Sequence, residues 1–212
     1  MGDEGLIVSA CSQKAATHSV MKWHYSQSMP AGKLITYGVW NNKKFAGSII
    51  YGQGANNRLG QTYDLDIIEV CELVRVALKP KHTFLTSQVV AMSLASLRKD
   101  NPGLRLVVSY ADTNQNHHGG IYQAMNWIYT GESLAASMII KGKKRHTRSV
   151  SAKYGTSKLE WLQKNVDPKA HLVKDLAKHK YLIPLDKQMR RQVIKLVKPY
   201  PKKVKEQGVQ SL

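Results

Sequence analysis

Residues 104–129 restrict the fold more than any other part of the chain, because they combine a strand, a polar turn and a short helix. The β-branched run at 106–108 is typical of a buried strand, and polar residues at 109–118 follow it. Two glycines then precede a short one-faced helix, and residues 127–129 start another strand. Open α/β sheets bind ligands at the carboxyl ends of their strands, so this turn is either a functional site or a plain connecting loop.

The rest of the first 130 residues predicts alternating helices and strands. Ser12 is a suitable N-cap for a first helix, and the Asn-rich turn at 41–44 predicts an antiparallel hairpin. The predicted elements are a helix at 12–29, strands at 34–40, 45–51 and 69–78, and a helix at 86–98 capped by Thr86 and Ser87. This order indicates an α/β fold with a mixed sheet.

The sequence after residue 130 is less regular. Its pattern predicts strands at 138–140 and 146–150, a basic turn at 141–146 and a short helix at 158–165. A last helix, capped by Asp186, would place Met189, Val193 and Leu196 on one apolar face.

Positive charge is the strongest feature of the composition. The formal net charge is +18, of which residues 1–130 carry +4 and residues 131–212 carry +14. Such a surface attracts polyanions, because the phosphates that it neutralises release condensed counterions. A nucleic acid is the expected partner; an anionic membrane and a basic protein without such a partner are the alternatives. The candidate contacts are Lys143, Lys144, Arg145, Lys187, Arg190, Arg191 and Lys195.

The cysteines and the apolar segments indicate a protein of the reducing cytoplasm. Cys11 and Cys71 fit neither a disulfide framework nor the spacing of metal ligands. No apolar run approaches the roughly 18 residues that a bilayer span needs. The first residues lack the basic start and the apolar middle of a signal peptide.

The strand at 69–78 carries one charge on each face. Strict alternation puts Glu72 on the face of the even-numbered positions and Arg75 on the face of the odd-numbered ones. An unpaired buried charge is costly, so each needs a partner or a ligand. Arg75 suits a phosphate or carboxylate ligand, and the alternative is an internal ion pair with a carboxylate such as Asp112.

Four long motifs follow one another along the chain. They are WHYSQSMPAGK at 23–33, YGVW at 37–40, ELVRVAL at 72–78 and VVSYADTNQNHHGGIYQAMNWIYTG at 107–131. These motifs resemble the Mom family of phage DNA-modification proteins, and the similarity runs through most of the chain. The resemblance implies a GNAT-like α/β (α+β) fold, with a mixed, mostly antiparallel central sheet flanked by helices. We expect a GNAT-like catalytic domain at 1–165 and a basic C-terminal extension at 166–212 that packs on it and contacts DNA.

The same resemblance implies an enzyme that acts on double-stranded DNA. Proteins of this family are expected to add an acetamido (methylcarbamoyl, glycinamide-like) group to N6 of adenine, so that phage DNA resists host restriction. The chain would then act in the host cytoplasm. Two alternatives stay open: a coenzyme A-dependent N-acetyltransferase of another amine, and a DNA-binding protein without catalysis.

The resemblance also implies functional roles for His24, Tyr25, Arg75, Ser109, Asp112 and Tyr122. Adenine N6 is a weak nucleophile because its lone pair is delocalised, so a base must take its proton, and Asp112 or His24 suits that role. Tyr122 suits protonation of the leaving group, and Arg75 suits a phosphate. His24, Tyr25 and Asp112 together offer nitrogen and oxygen ligands for iron, which Mom-type proteins have been suggested to use.

The expected donor site departs from the GNAT pattern. GNAT enzymes seat the pyrophosphate of coenzyme A on a glycine-rich turn before a helix, whereas residues 79–87 contain no glycine. The helix N-terminus, with Arg75, Lys81, Thr86 and Ser87, still offers ligands for phosphate. The expected donor is therefore either acetyl-coenzyme A or a glycyl group such as glycyl-tRNA, which would make tRNA a second partner.

Overall fold

A computed structural model describes residues 5–54, 58–133, 136–174 and 176–202 of the chain. The chain divides into two compact units. The first comprises Met1–Ala111, His118–Gly131 and Lys180–Leu212, and the second comprises Asp112–His117 and Glu132–His179. Most of the second unit is therefore an insertion in the sequence of the first.

Ten strands and six α-helices lie within the described residues. The strands are β1 (Leu6–Ala10), β2 (Leu34–Asn41), β3 (Lys44–Gly52), β4 (Val70–Leu78), β5 (Leu106–Ala111), β6 (Ile128–Ser133), β7 (Ala136–Ile140), β8 (Lys143–His146), β9 (His171–Lys174) and β10 (Lys178–Pro184). The helices are α1 (Gln13–Trp23), α2 (Thr86–Asp100), α3 (Gly120–Gln123), α4 (Thr147–Tyr154), α5 (Leu159–Asn165) and α6 (Lys187–Val193). No helix in these ranges is long and apolar enough to cross a bilayer.

Seven of the strands form the central sheet, in the order β1-β2-β3-β4-β5-β10-β6. The first four pair antiparallel, and β4 pairs parallel with β5, which confirms the predicted mixed sheet. The predicted hairpin is also confirmed: Asn42 and Lys43 both have positive φ, 49° and 63°, as a two-residue turn between twisted strands requires. The sequence pattern missed β1, an edge strand in which Leu6 alone is buried.

The two units do not coincide with the expected domains at 1–165 and 166–212. β10 lies between β5 and β6 in the central sheet, so residues from Lys180 onward belong to the same unit as β5. A pairing between strands this far apart in sequence leaves no local trace in composition or periodicity. The DNA contact expected for residues 166–212 stays a prediction.

α1 is shorter than the helix predicted at 12–29. Ser12 caps it as predicted, because its side chain accepts a hydrogen bond from Ala15 N–H at 3.2 Å. The helix ends at Trp23, and His24 is extended while its own N–H still donates to Val20 O. The ring of His24 then accepts a hydrogen bond from Ser26 N–H, a local turn that competes with further helix.

Helices cover both faces of the central sheet. On one face, α2 and α3 pack over a core that includes Leu97 and Trp127. On the other face, α1 packs through Ala16 and Val20, and α6 packs through Val193. Alternate residues of the strands supply the two cores, as the pleat of a sheet requires.

The second unit has a smaller sheet of its own, in which β8, β7 and β9 pair antiparallel. α4 and α5 pack on this sheet through Val150 and Leu162. The prediction of a strand at 146–150 is wrong, because those residues lie mainly in α4. The basic turn predicted at 141–146 is partly wrong, because pairing with β7 draws its second half into β8.

Candidate active site

β4 and β5 pair over four residues and then part. Their parallel ladder begins with Val70 opposite Leu106 and ends with Leu73 opposite Ser109. β4 continues to Leu78 along β3, and beyond Ser109 these two fully described strands share no further ladder. The strands therefore separate at their carboxyl ends, where the sequence predicted a site.

A bulge in β4 changes which side chains share a face. Ile50 pairs with Arg75 and Tyr51 pairs with Leu73, so Val74 is an extra residue on β4. Leu73 belongs to the core under α2, whereas Val74 and Ile50 belong to the cluster around α1. The strict alternation predicted for this strand is therefore wrong beyond Leu73, and Arg75 lies on the α1 face.

Arg75 donates hydrogen bonds to two backbone carbonyls. Its Nη1 lies 2.7 Å from Val74 O and its Nε lies 3.3 Å from Ser28 O. Among the described residues, no carboxylate forms an ion pair with it, so the alternative of an internal ion pair is wrong. The guanidinium has five N–H donors, which leaves further donors for an anionic ligand.

Tyr122 and Ser109 form a buried hydrogen-bonded pair where the two strands part. Ser109 Oγ donates to Leu73 O at 2.9 Å, and it lies 2.8 Å from the hydroxyl of Tyr122. A serine hydroxyl has a single proton, and Leu73 O receives it, so Tyr122 must be the donor to Ser109. The sequence placed these residues on a strand and on a following helix, and the fold brings them together.

Burial keeps the Tyr122 phenol protonated. Desolvation raises its pKa to about 12, although the hydrogen bond to Ser109 acts in the opposite direction. The negative charge of Glu72 raises this pKa further. Tyr122 is consequently a proton donor and not a base at neutral pH.

Glu72 is a site residue that the sequence-based set omitted. Its carboxylate acts on the pKa of Tyr122, and its Oε2 lies 2.3 Å from the point that a Cβ on Gly54 would occupy. Gly54 has φ of +71°, so both its conformation and this close approach favour glycine. The charge on an otherwise apolar strand was the signal in the sequence that could have identified Glu72.

Close aromatic packing fixes α3 and Tyr122. Gly119 precedes the helix with φ of +84°, and a Cβ there would lie 2.3 Å from the ring of Tyr181. The rings of Tyr122 and Tyr181 lie 5.0 Å apart, as do those of Tyr122 and Trp127. Tyr181 also donates its hydroxyl proton to His118 O at 2.6 Å. The position of the Tyr122 hydroxyl is therefore set by packing on several sides.

His24 is held by its own local turn. Its Nδ1 accepts the backbone N–H of Ser26 at 3.1 Å and lies 2.8 Å from Ser26 Oγ. Since Nδ1 accepts a hydrogen bond from Ser26 N–H, the neutral ring carries its own hydrogen on Nε2. The ring stacks on that of Tyr25 at 4.3 Å. In this form His24 is a hydrogen-bond donor through Nε2, which does not suit the base predicted for it.

The arrangement around His24 does not fit the predicted iron ligands. A ligating nitrogen must offer a lone pair to the metal, and the other ring nitrogen normally donates its N–H to an acceptor. Here Nδ1 accepts from Ser26 and Nε2 carries the hydrogen. Asp112, the third predicted ligand, belongs to the second unit. Among the described residues no three His, Cys, Asp or Glu side chains are grouped so as to hold a metal.

Asp112 has structural partners within the second unit. Its Oδ2 lies 3.2 Å from Lys178 Nζ, and its Oδ1 accepts hydrogen bonds from the backbone and the side chain of Asn114. Burial opposes ionisation, but the bonds from Asn114 and the charge of Lys178 outweigh it and hold the pKa of Asp112 below its ordinary value. A carboxylate with a lowered pKa is a weaker base, so its catalytic role stays a prediction.

Lys81, Thr86 and Ser87 lie together around the start of α2. Thr86 and Ser87 form its first turn, but the predicted caps are wrong, because Leu85 is the N-cap and makes no side-chain capping bond. His82 Nδ1 donates to Phe84 O at 2.7 Å, which shapes the glycine-free loop through side chains instead. α2 covers the face of the sheet opposite Arg75, so Arg75 is not grouped with these three residues.

The predicted nucleic-acid contacts lie in both units. Lys143, Lys144 and Arg145 lie on β8, and strand alternation points Lys144 away from the face of the other two. Lys187, Arg190, Arg191 and Lys195 are all exposed on α6 and the turn after it. Leu196 is 43% exposed, so its predicted place on the apolar face is wrong. The α-helix ends at Val193, and a 3-10 turn changes the spacing.

The fold is similar to that of solved acetyltransferase structures. One of them is the ribosomal-protein-S5-alanine acetyltransferase of Vibrio fischeri. The two structures superpose with a TM-score of 0.50 at 8% identity, over 88% of this chain and 97% of that one. A probable GNAT-family acetyltransferase of Chromobacterium violaceum gives a TM-score of 0.48 at 12% identity, over 87% and 84% of the two chains. The GNAT-like fold implied by the motifs is confirmed.

The sequence identifies the family within that class. Residues 5–202 match the Mom protein family, so the chain belongs to it. It is 25% identical to the methylcarbamoylase Mom of Escherichia phage Mu over 217 residues, which covers 94% of this chain and 88% of the relative. The protein is accordingly a transferase.

Proposed function

We propose that this transferase adds a methylcarbamoyl (acetamido) group to N6 of adenine in double-stranded DNA. Support comes from the Mom family, whose phage Mu relative is named a methylcarbamoylase. The observation that carries the proposal is the Tyr122–Ser109 pair at the point where β4 and β5 part. Group transfer is accelerated by a positioned side chain that protonates the leaving group, and the Tyr122 phenol of this pair can supply that proton.

The reaction needs one proton to leave N6 and one to reach the leaving group. Tyr122 supplies the second proton, since its raised pKa keeps the phenol neutral until the leaving group develops negative charge. In the resting site the phenol donates that proton to Ser109 Oγ, whose own proton is bonded to Leu73 O, so the Tyr122 hydroxyl must turn from Ser109 to the leaving group during transfer. The phenol recovers its proton from solvent after the product leaves.

Glu72 takes the proton of N6. Glu72 and Tyr122 both belong to the first unit, and the negative charge of Glu72 raises the pKa of Tyr122. His24 and Asp112 are weaker choices, because His24 carries its hydrogen on Nε2 and Asp112 has a lowered pKa. Replacement of Glu72 by Gln, compared with Asp112→Asn and His24→Gln, separates the three assignments. Full activity of the Glu72 variant would remove that residue from the chemistry.

The start of α2 binds the phosphates of the donor. The first amides of a helix bind anions, and Thr86, Ser87 and Lys81 add hydroxyls and a positive charge. The fold favours acetyl-coenzyme A, but transfer of its acetyl group releases coenzyme A and adds no nitrogen, so an acetamido product would need a second, amine-containing reactant. Attack of N6 on the ester of a glycyl donor such as glycyl-tRNA releases the 3′-hydroxyl of the tRNA and adds two carbons and a nitrogen, the composition of the acetamido group. The lack of glycine at 79–87 is compatible with such a donor. Incorporation of isotope from labelled acetyl-coenzyme A or from labelled glycine into DNA distinguishes the two.

The modified adenine protects phage DNA from host restriction endonucleases, and the enzyme acts in the host cytoplasm. Restriction enzymes read hydrogen-bond donors and acceptors in the major groove, where adenine presents N6. A group on N6 alters that pattern at every modified site. Plasmid recovered from expressing cells should therefore resist enzymes whose sites contain the modified adenine.

Co-expression with a plasmid, followed by mass spectrometry of its nucleosides, tests the proposal. The expected result is a modified deoxyadenosine with the added mass of the acetamido group, absent with Tyr122→Phe. Unmodified deoxyadenosine from cells that contain soluble, folded protein would refute the proposal. If purified protein instead consumes acetyl-coenzyme A with small amines or proteins, the second candidate, an ordinary N-acetyltransferase favoured by the fold, is the better description.

A further inference from the structure

The solvent-facing side of α5 carries a tryptophan, Trp161, that is not part of the hydrophobic core of the second unit. Leu162 is buried in the core of the second unit, and Leu159 and Val166 pack against the same core. Trp161 lies on the opposite side of this short helix and is 44% exposed. Of the four tryptophans of the chain, the other three are buried or half-buried. The indole of Trp161 therefore presents almost half of its surface to solvent.

Two lysines flank this indole. Lys158 precedes α5 as its N-cap residue, three positions before Trp161, and Lys164 follows three positions after it. Residues three apart are neighbours on a helix surface, and both lysines are exposed. Neither forms an ion pair among the described residues. We call Lys158, Trp161 and Lys164 the α5 surface.

The α5 surface lies in a strongly basic unit. Residues 132–179 contain 11 basic and four acidic side chains. Two of the carboxylates have partners away from α5: Asp167 accepts the backbone N–H groups of Lys141 and Lys169, and Glu132 lies 3.9 Å from His179. Glu160 is exposed in the first turn of α5, next to Trp161, and offsets part of the charge of the two lysines. The unit therefore presents a positive field to solvent, with an aromatic ring inside it.

We infer that the α5 surface binds duplex DNA. Lys158 and Lys164 contact phosphates, and the indole of Trp161 lies against sugar and base edges between them. Nucleic-acid-binding surfaces combine basic side chains that contact phosphates with apolar or aromatic side chains that contact the bases. The inference rests on the proposed DNA substrate and assigns a DNA contact outside the transfer site.

Duplex DNA fits this surface better than an anionic membrane. A membrane-binding helix needs a broad apolar face, but the apolar face of α5, which includes Leu162, is buried in the core of the second unit. A single indole between two lysines fits the edge of a DNA groove, where sugars and base edges lie between the phosphates. Binding to membranes is retained as an outcome of the test.

Fluorescence of the full chain with a labelled duplex tests the assignment. Duplex DNA should quench the indole fluorescence of the wild type, and Trp161→Phe should remove most of that quenching. Trp161→Ala should weaken binding about tenfold, on the scale of one apolar side chain that is no longer removed from water at the interface. Lys158→Ala with Lys164→Ala should lower the slope of log K against log salt by about 2, since each phosphate contact contributes about 0.9.

A matched control keeps the total charge equal. Lys14→Ala with Lys22→Ala also removes two exposed lysines, but from α1, and should leave quenching and most of the affinity intact. Equal loss in both double variants would overturn the inference, because charge alone would then explain binding. Unchanged quenching in Trp161→Phe, or a blue shift with phosphatidylglycerol vesicles but none with DNA, would overturn it as well.

The test separates this inference from the proposed function. If no modified adenine is found in cells but the α5 variants lose DNA binding as expected, the DNA contact stands and the proposed chemistry falls. If modification proceeds and the α5 variants bind and modify DNA like the wild type, the proposed chemistry stands and the assignment of DNA binding to the α5 surface is wrong. Thermal unfolding of each variant confirms that the exposed substitutions leave the unit folded.

Discussion

The Tyr122 hydroxyl tests the proposed chemistry at the scale of one residue. Tyr122→Phe removes the donated proton but keeps the ring that packs on Trp127 and Tyr181. Ser109 retains its bond to Leu73 O, so no buried group loses its acceptor. We expect DNA modification to slow at least 100-fold, the usual contribution of a general acid, with little change in stability.

The Tyr122→Phe rate is measured as modified deoxyadenosine formed per unit time by nucleoside mass spectrometry, with urea unfolding as the check on folding. Tyr63→Phe is the matched control, because Tyr63 is equally buried but packs in the cluster near α6. That variant should modify DNA at the wild-type rate. A rate for Tyr122→Phe within a few-fold of the wild type would show that another group protonates the leaving group.

Asp112 makes a prediction about pH and stability. Its pKa is lowered in the folded protein, so the unfolded chain binds the proton more tightly than the folded one. The stabilisation is therefore present above the ordinary pKa of aspartate and is lost as pH falls through the lowered value. The pair with Lys178 is partly exposed, which limits its contribution to about 1 kcal/mol or less.

Urea unfolding of the wild type and of Asp112→Asn across a pH series measures this contribution. The difference in unfolding free energy should be largest near neutral pH and should shrink toward zero in acid. A difference that is constant across the series would mean that ionisation of Asp112 plays no part. Activity measured at neutral pH on the same variant tests separately whether Asp112 has a catalytic role.

At the scale of elements, the position of α3 depends on Gly119, which precedes it, because the Tyr181 ring leaves no room for a side chain there. Gly119→Ala should lower the free energy of unfolding by about 2–4 kcal/mol, because the new residue would have a positive φ and its Cβ would collide with the Tyr181 ring. Gly32→Ala is the control: Gly32 has φ of +90°, but no atom lies within 4 Å of the point that its Cβ would occupy, so only the backbone cost of about 1 kcal/mol applies. If urea unfolding gave the same loss of unfolding free energy for Gly119→Ala and Gly32→Ala, the Tyr181 ring would have to move to accommodate the new methyl group.

The same elements show how far a single sequence predicts this fold. The hairpin, α2, β5 and α3 follow from periodicity and turn residues, which act over a few positions. The bulge at Val74 does not, because it depends on the register of β4 against β3. Its consequence for the site is large, since it moves Arg75 to the α1 face and away from Thr86 and Ser87.

The site itself was predictable in part, for the same reason. Ser109 and Tyr122 are 13 positions apart and their contact follows from a strand, a turn and a helix in sequence. Glu72 was visible as an unexpected charge on an apolar strand, but its action on Tyr122 depends on where β4 and β5 separate. Local patterns thus indicate which residues are unusual, and long-range pairing decides which of them act together.

At the scale of the whole molecule, the net charge of +18 is carried by particular surfaces, and α6 provides one that can be removed. Replacing Lys187, Arg190, Arg191 and Lys195 by Ala leaves the buried side of α6, Met189 and Val193, unchanged. We expect weaker duplex binding, and a slope of log K against log salt lower by about 3–4, if most of the four residues contact phosphates.

Fluorescence anisotropy of a labelled duplex over a salt series measures the α6 effect. The control removes four exposed charges from α1 and α2 instead, through Lys14, Lys22, Arg98 and Lys99. If binding followed net charge alone, both quadruple variants would lose the same affinity and the same slope. A larger loss from the α6 variant assigns phosphate contacts to that helix, whereas an unchanged slope means that α6 faces away from the DNA.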